Sequence, residues 1–222
     1  MAFDFTVLDE MMKNEKREKA ERFRILNQSV QKGQIVFAGS SLMEQFPIYE
    51  FLLDDKLPYI IYNRGIGGSV TAEYKQNLDI CIYELEPKAV FLNIGTNDLN
   101  EPSCTPEELS HRYEQIVDDI QAHLPNVQLY MLAFYPVNPE VADNPMMKEV
   151  FKSRTNEKIR ACNDLLRSLA EKKGATWLDL NEDITDENGC LKKDITIEGM
   201  HMYANGYRMI WKKLLPVLKE LA

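Results

Sequence analysis

Five short runs of apolar residues recur along the chain, separated by stretches in which apolar residues repeat with a helical period. Within the runs the apolar residues are nearly continuous, which is typical of strands covered on both faces of a sheet. The runs are QIVFAG (34–39), YIIYNRG (59–65), KAVFLNIG (88–95), VQLYMLAFYP (127–136) and ATWLDL (175–180). The pattern therefore predicts five buried β-strands.

Amphipathic patterns of helical period lie before, between and after these runs. A charged helix is predicted over residues 8–32, where Gly33 ends it. Further helices are expected at residues 71–83, 106–124, 147–173 and 203–221. Alternating strands and helices indicate a parallel sheet with right-handed crossovers. We therefore expect an α/β fold, a three-layer α/β/α sandwich around a five-stranded parallel sheet.

The domain organisation follows from length and composition. The chain has 222 residues, of which 45% are apolar, and this is enough for one α/β domain with a substantial core. Internal repeats, low-complexity tracts and linkers are not evident. We expect one domain over residues 1–222, with residues 1–33 as an N-terminal helical segment packed on it.

The charge pattern argues against two classes of partner. The formal net charge is −9, and the basic residues alternate with glutamates, as in NEKREKAERFR (14–24). A solvated helix face explains such a pattern, whereas nucleic acid and anionic membranes are bound by clustered cations. We therefore expect neither a nucleic acid nor a membrane as partner.

Cysteine usage and the N-terminal sequence predict a cytoplasmic protein. Four cysteines stand far apart without a C-x-x-C pair, which argues against a zinc site or a redox motif. The start MAFDFTVLDEMMK lacks the basic and apolar regions of a signal peptide, and no run approaches the ~20 apolar residues of a membrane span. Reduced cysteines, and no metal or cofactor, are the expectation.

Small and polar residues follow the predicted strands, where α/β sheets bind their ligands. They form GSS (39–41), GIGGS (65–69), GTND (95–98) and FYPVNP (134–139). Such residues also make ordinary turns, so each stretch alone predicts no site. Ser41 itself could be a helix N-cap, because a serine hydroxyl accepts a bond from a free helical N–H.

Histidine narrows the possible chemistry, because the chain has only three. His111 and His123 lie within a helical pattern and suit surface or packing roles. His201 follows the last predicted strand, with Glu198 three residues earlier. A carboxylate at this spacing can hold the imidazole Nδ1–H, so that Nε2 acts as a base. An incidental pairing at a helix start is the other interpretation.

Four blocks of sequence resemble, in order and spacing, those of the GDSL or SGNH hydrolase family. They are GSSL (39–42), NRGIGGS (63–69), IGTND (94–98) and EGMHMYANGY (198–207). The resemblance implies a flavodoxin-like sheet and cleavage of esters or thioesters through a serine acyl-enzyme.

The same resemblance assigns roles to residues of the four blocks. Ser41 is the implied nucleophile, His201 the general base and Glu198 the acid that orients it. The implied oxyanion hole consists of the backbone N–H groups of Ser41 and Gly68 and the side-chain amide of Asn97. These residue types suit the chemistry, since a serine hydroxyl needs a base and a tetrahedral oxyanion needs preorganised donors.

Two positions depart from the family pattern. Ser40 stands where the family name implies aspartate, so Ser40 is a rival nucleophile, although the G-x-S spacing from Gly39 favours Ser41. Glu198 stands where the pattern usually has aspartate, and with its extra methylene it can orient His201 only if the turn is adjusted. Asp194 is the alternative acid.

Three other interpretations compete with the esterase of this family. The α/β-hydrolase elbow G-x-S-x-G fails because residue 43 is Met, and a dinucleotide-binding motif lacks its third glycine because residue 70 is Val. A non-catalytic small-molecule-binding protein on the same fold is possible, because a fold does not guarantee an activity. The joint presence of Ser41, Asn97 and His201 argues against it.

The expected substrate is a small acyl ester. Short-chain acyl groups, above all acetyl, on a carbohydrate or another small polar alcohol suit the acidic chain and its lack of a long apolar stretch. Phe134, Tyr135, Met146 and Met147 could instead line an acyl pocket, and a lysophospholipase or thioesterase is then the alternative. The sequence does not specify an oligomeric state.

Overall fold

The computed structural model of the chain describes residues 5–221, and a parallel sheet lies at the centre of that part. Its strands are β1 (Ile35–Gly39), β2 (Ile61–Gly65), β3 (Ala89–Asn93), β4 (Gln128–Leu132) and β5 (Thr176–Leu178). They lie in the order β2-β1-β3-β4-β5, and every neighbouring pair is parallel. This is the flavodoxin-like order, so the predicted fold class is confirmed.

Helices cover both faces of the sheet. They are α1 (Phe5–Asn27), α2 (Ser41–Glu44), α3 (Ile48–Asp54), α4 (Thr71–Lys75), α5 (Leu78–Cys81), α6 (Pro106–His123), α7 (Pro145–Ser153), α8 (Asn156–Lys173) and α9 (Ala204–Glu220). Short 3₁₀ turns occur at Tyr83–Leu85, Asp98–Asn100, Pro139–Val141 and Glu182–Ile184.

Two hydrophobic cores lie on the two faces of the sheet. Val36 and Ala38 point into one core, which α1 and α4 to α8 cover, while Ile35 and Phe37 point into the other, which α2, α3 and α9 cover. Every residue of β1 and β3 is therefore buried. This burial on both faces explains why the apolar runs in the sequence are continuous.

Two of the predicted helices are broken. The stretch 71–83 divides into α4 and α5, and between them the Asn77 amide donates to the carbonyl oxygen of Glu73 at 2.9 Å. The stretch 147–173 divides at Arg154, because Thr155 starts α8 as a new N-cap, with its hydroxyl accepting from the N–H of Lys158 at 3.2 Å. The apolar pattern continues through both breaks and so did not indicate them.

Helix α1 ends at Asn27, five residues before the predicted end, and a side-chain network holds it to the sheet. Buried Arg64 donates to the side-chain oxygen of Asn27 at 2.8 Å, and the Asn27 amide donates to the carbonyl oxygen of Ile80 at 2.7 Å. The prediction of one domain over residues 1–222 stays a prediction, and residues 1–4 and 222 lie outside the described part.

The cysteines and the helices can be compared with what the composition predicts. All four cysteines are free thiols, and burial raises the pKa of Cys81 and of Cys162 to about 12. Among the helices described, none combines the length and the apolar character that a membrane span requires.

Candidate active site

Three strands end side by side at the carboxyl edge of the sheet. Gly39, the last residue of β1, pairs with Gly65 of β2 and Asn93 of β3. A Cβ atom on Gly39 would lie 2.1 Å from the carbonyl oxygen of Asn93, so only glycine fits between these strands. Ser41, the first residue of α2, follows two positions after Gly39 and therefore lies at this edge of the sheet.

Ser41, His201 and Glu198 form a hydrogen-bonded row. The Nε2 atom of His201 lies 2.9 Å from the Oγ of Ser41, and its Nδ1 lies 2.5 Å from Oε1 of Glu198. A carboxylate only accepts, so Nδ1 carries the proton and Nε2 is free to accept from the serine hydroxyl. All three side chains are half-buried.

The environment keeps Glu198 ionised. Burial by itself raises the pKa of this carboxyl, but the hydrogen bond and charge interaction with His201 and the backbone N–H of His201, at 3.1 Å, outweigh it. The pKa of Glu198 is therefore lowered, and at neutral pH the imidazole faces a carboxylate.

Hydrogen bonds from side chain and backbone hold the turn around this pair in place. The hydroxyl of Thr196 donates to the carbonyl oxygen of His201 at 2.8 Å and accepts from the N–H of Gly199 at 3.0 Å. The N–H of Asn138, in the loop after β4, donates to the carbonyl oxygen of Gly199 at 2.7 Å. The turn is thus fixed both internally and to the sheet.

The structure separates the rival residues from this row. Asp194 is exposed, its backbone carbonyl accepts from the Asn205 amide at 3.2 Å, and both ring nitrogens of His201 already have other partners. Ser40 is 1% exposed, and within residues 5–221 its hydroxyl has no hydrogen-bond partner. The structure therefore brings Ser41 and Glu198 to His201, and neither Asp194 nor Ser40.

Gly68 and Asn97 lie on adjoining loops. Gly68 is exposed and has a φ of +70°, a left-handed conformation that favours glycine. The side-chain amide of Asn97 donates to the carbonyl oxygen of Ser69 at 3.0 Å. This bond holds the third sequence block against the residue that follows Gly68.

Glu44 supports the site and was not predicted from the sequence. Its Oε2 accepts from the N–H of Gly67 at 2.7 Å, and its Oε1 accepts from Lys19 of α1 at 2.6 Å. Next to Glu44 in the same helix, the carbonyl oxygen of Met43 accepts from the side-chain amide of Asn63 at 2.6 Å. Helix α1, helix α2 and the glycine-rich loop are therefore linked.

Asp98 and Arg154 are two further buried charges beside the site that sequence analysis missed. Asp98 accepts from the N–H and the hydroxyl of Thr71, at 2.9 and 2.5 Å, and so fixes the start of α4. Arg154 donates to the side-chain oxygen of Asn97 at 2.7 Å. Asp98 belongs to the GTND block, a signal that was available, whereas Arg154 belongs to no motif.

The four residues considered for an acyl pocket do not form one. Phe134 and Met147 are buried in one core and Tyr135 in the other, while Met146 is 65% exposed. They therefore fill the interior or face solvent. Within the residues whose side chains are described, no group of three or more His, Cys, Asp or Glu residues could hold a metal ion.

Known proteins resemble this chain over most of its length. A human protein, platelet-activating factor acetylhydrolase IB subunit alpha2, is 25% identical over 189 residues, 84% of this chain and 76% of its own length. A structure from Streptococcus pneumonia, provisionally named a platelet activating factor, is 28% identical with a TM-score of 0.85, covering 96% of this chain and 97% of its own.

A third structure, Est24, a carbohydrate acetylesterase from Sinorhizobium meliloti, shares the fold at 18% identity, with a TM-score of 0.69 over 86% of this chain and 100% of its own. Residues 37–209 match the model of the GDSL-like lipase/acylhydrolase family. That match includes the end of β1 with the adjoining Ser41, the glycine-rich and GTND loops, and the turn that carries His201. On this evidence the chain belongs to the GDSL-like lipase/acylhydrolase family and is a carboxylic-ester hydrolase.

Proposed function

We propose that this protein is a serine esterase that removes short acyl groups, in the first place acetyl, from a carbohydrate or another small polar alcohol. Ser41 is the nucleophile, His201 the general base and Glu198 the residue that orients it. The observation that carries the proposal is the row of contacts from Ser41 Oγ to His201 Nε2, at 2.9 Å, and from His201 Nδ1 to Glu198, at 2.5 Å.

Acylation begins when the Ser41 oxygen attacks the ester carbonyl carbon and its proton passes to Nε2 of His201. The imidazolium formed is stabilised by the ionised Glu198. The same proton then passes to the departing alkoxide, which leaves as the alcohol. Water repeats the sequence on the acyl-enzyme, with His201 again as base, and releases the carboxylic acid.

The oxyanion of each tetrahedral intermediate needs preorganised donors. The proposed donors are the backbone N–H groups of Ser41 and Gly68 and the side-chain amide of Asn97. Two features support them: the left-handed conformation of Gly68 and the bond that holds Asn97 against Ser69.

Two observations support a short acyl group. The apolar residues that could have lined an acyl pocket are either packed in the two cores or exposed. In addition, the human relative and the Sinorhizobium meliloti structure are both named for acetyl ester cleavage.

One observation favours the second candidate, a lysophospholipase or thioesterase for longer acyl chains. Ile197 and Tyr203, which flank the Glu198–His201 turn in the sequence, are 47% and 53% exposed and offer apolar surface. A series of p-nitrophenyl esters of increasing chain length separates the candidates. The first requires the highest kcat/KM on acetate, and a maximum at long chains would establish the second.

The nucleophile is tested with two adjacent serines. Ser41→Ala should abolish ester turnover and labelling by a fluorophosphonate probe, whereas Ser40→Ala, whose hydroxyl is buried away from His201, should retain both. Labelling of the Ser41→Ala variant would refute the assignment. A wild-type protein that neither turns over esters nor reacts with the probe would instead support the non-catalytic binding protein.

A further inference from the structure

Arg154 is a charged side chain that lies almost completely inside the protein, with 1% of its surface exposed. It donates from Nη2 to Oδ1 of Asn97 at 2.7 Å and from Nε to Oδ1 of Asn100 at 3.0 Å. Its Nη1 contacts the sulfur of Met200, which lies between Glu198 and His201 in the sequence. Arg154 therefore joins the GTND loop to the turn that carries the histidine.

The helix break described above is what turns Arg154 inward. The residue follows the last residue of α7 with φ −87° and ψ 82°, outside the helical range, and α8 starts anew after Thr155. In one continuous helix, the direction of the side chain at position 154 would instead be set by the helical period of its neighbours. The backbone is thus arranged so that this arginine reaches the loop at residues 97–100.

A buried guanidinium without a carboxylate in direct contact is unfavourable unless hydrogen bonds compensate for lost water. Burial lowers the pKa of Arg154 to about 10, against the opposing influence of Asp98 and Glu198. The group is still charged at neutral pH. Packing alone would be served by an apolar side chain, so the retained charge points to a role that requires its hydrogen bonds.

The contacts of Arg154 determine which way the amide of Asn97 faces. A guanidinium only donates, so the atom that it contacts must be the amide oxygen, and the carbonyl of Ser69 only accepts, so it must face the amide nitrogen. The bond to Ser69 uses one of the two hydrogens on Nδ2. The other hydrogen is left for the oxyanion.

We propose that Arg154 is a positioning residue for the oxyanion hole: it fixes the orientation of the Asn97 amide and strengthens it as a donor. A charge-assisted bond to Oδ1 draws electron density from the amide and makes its N–H groups more acidic, so they bind a developing negative charge more strongly. This inference rests on the proposed esterase activity, because it assigns Arg154 to the same reaction.

The role requires a specific kinetic signature. Arg154→Met removes the hydrogen bonds but keeps a long apolar side chain, and it should lower kcat about 10- to 100-fold, since misplacing a catalytic group by ~1 Å can cost ~10². KM should change less than kcat, because the oxyanion forms only in the transition state. Arg154→Lys keeps the charge and should recover part of kcat.

A double-mutant cycle separates positioning from general support of the fold. In an Asn97→Ala background the amide is gone, so Arg154→Met should cause little further loss of kcat. Three outcomes would overturn the proposal: the same fractional loss of kcat in both backgrounds, an unchanged kcat, or an effect mainly on KM. If Arg154→Met does not fold, the same comparison made with Arg154→Lys decides the question.

Two controls complete the experiment. Arg167→Met, an exposed arginine on α8, should leave kcat, KM and the melting temperature unchanged. Ser41→Ala shows whether the measured turnover depends on the proposed nucleophile. If turnover depends on Ser41 but the double-mutant cycle shows equal fractional losses, unchanged kcat or an effect mainly on KM, only the role of Arg154 is refuted. If turnover does not depend on Ser41, the esterase proposal is refuted as well.

Discussion

Glu198 departs from the family pattern by one methylene and still contacts His201 at two atoms. Its Oε1 accepts both the ring Nδ1–H and the backbone N–H of His201. The backbone contact draws the longer side chain back over its own turn, and the bond between Gly199 and Thr196 keeps that turn closed. The additional methylene is therefore accommodated within the turn.

The proposed role of Glu198 can be tested by removing its charge. Glu198→Gln should leave the fold intact and lower kcat severely, because an amide can hold the wrong tautomer of His201; in serine proteases the corresponding aspartate-to-asparagine change costs ~10⁴. The measurement is kcat on a short-chain ester, together with a thermal melt.

Asp194→Asn serves as the control for Glu198→Gln, since Asp194 is exposed and has no contact with the ring nitrogens. It should be nearly silent. An inactive Asp194→Asn variant beside an active Glu198→Gln variant would transfer the role of acid to Asp194. Mild effects of both changes would indicate a Ser41–His201 dyad.

Gly199 allows a second prediction about the same turn. It has a φ of +99°, and a Cβ there would lie 2.3 Å from the carbonyl oxygen of Asn138. Gly199→Ala should therefore displace the turn, lower the melting temperature and reduce kcat. Gly189→Ala is the control, because φ is also positive there but the nearest atom is the end of the Arg160 side chain at 3.7 Å. Equal losses of activity in both variants would show that backbone strain alone is responsible.

Among the elements, the pair of helices α6 and α8 is joined by a charge cluster. Glu114 of α6 contacts Lys172 and Lys173 of α8 at 2.8 and 2.9 Å, and Lys173 also contacts Asp118 at 2.6 Å. Hydrogen bonds from the two lysines lower the pKa of Glu114 from 4.5 to about 2. The cluster therefore contributes to stability only while Glu114 is ionised.

The pH dependence of this contribution has a definite sign. Because the folded-state pKa lies below the unfolded value, the contribution is complete above pH 4.5 and is lost as the pH falls toward 2. Glu114→Gln should lower the urea midpoint at neutral pH, and its difference from wild type should shrink toward pH 2. High salt should also reduce the difference. Glu187→Gln, an exposed loop glutamate, should show no such trend.

At the level of elements, the sequence predicted the strands best. Strands β1 and β3 are apolar runs because both faces of the sheet are covered there, so their burial is visible directly in the residue types. Strand β5 was also predicted to be buried, but it lies at the edge of the sheet, where Thr176 is exposed and the next two residues are half-buried. The helix breaks at Asn77 and Arg154 were missed, because they depend on side-chain bonds to the backbone, which leave the apolar period unchanged.

The sequence predicted site residues only within the four motifs, and it missed those that lie outside them. Ser41, Glu198 and His201 were found because the four blocks keep their order and spacing, and the structure brings these three side chains together. Glu44 and Arg154 were not found. Their partners Gly67 and Asn97 are 23 and 57 positions away, and charged residues in amphipathic stretches are normally solvated.

In the molecule as a whole, two tryptophans report on the two sides of the sheet. Trp211 is buried in the core beneath α9, and its indole N–H donates to Asp55 at 2.6 Å. Trp177 is partly buried against the opposite core. The chain has no other tryptophan, so single-tryptophan variants allow each core to be followed separately.

If the chain unfolds as one domain, both cores should be lost together, because they share one sheet. In Trp177→Phe and in Trp211→Phe, the urea midpoint from fluorescence should equal the midpoint from far-UV circular dichroism of the same variant. Comparison within each variant removes the effect of the substitution on overall stability. A fluorescence transition that precedes the dichroism transition in either variant would show that one side unfolds independently.

The contact between Ser41 and His201 joins residues 160 positions apart, from the loop after the first strand to the turn before the last helix. Closing a contact of such separation costs more chain entropy than closing a local one. If Ser41 is the nucleophile proposed above, its hydroxyl stays unreactive during synthesis or refolding until the turn before α9 has docked and brought His201 to it. Reactivity toward a fluorophosphonate then marks the completed chain, and partly folded molecules are spared premature acylation.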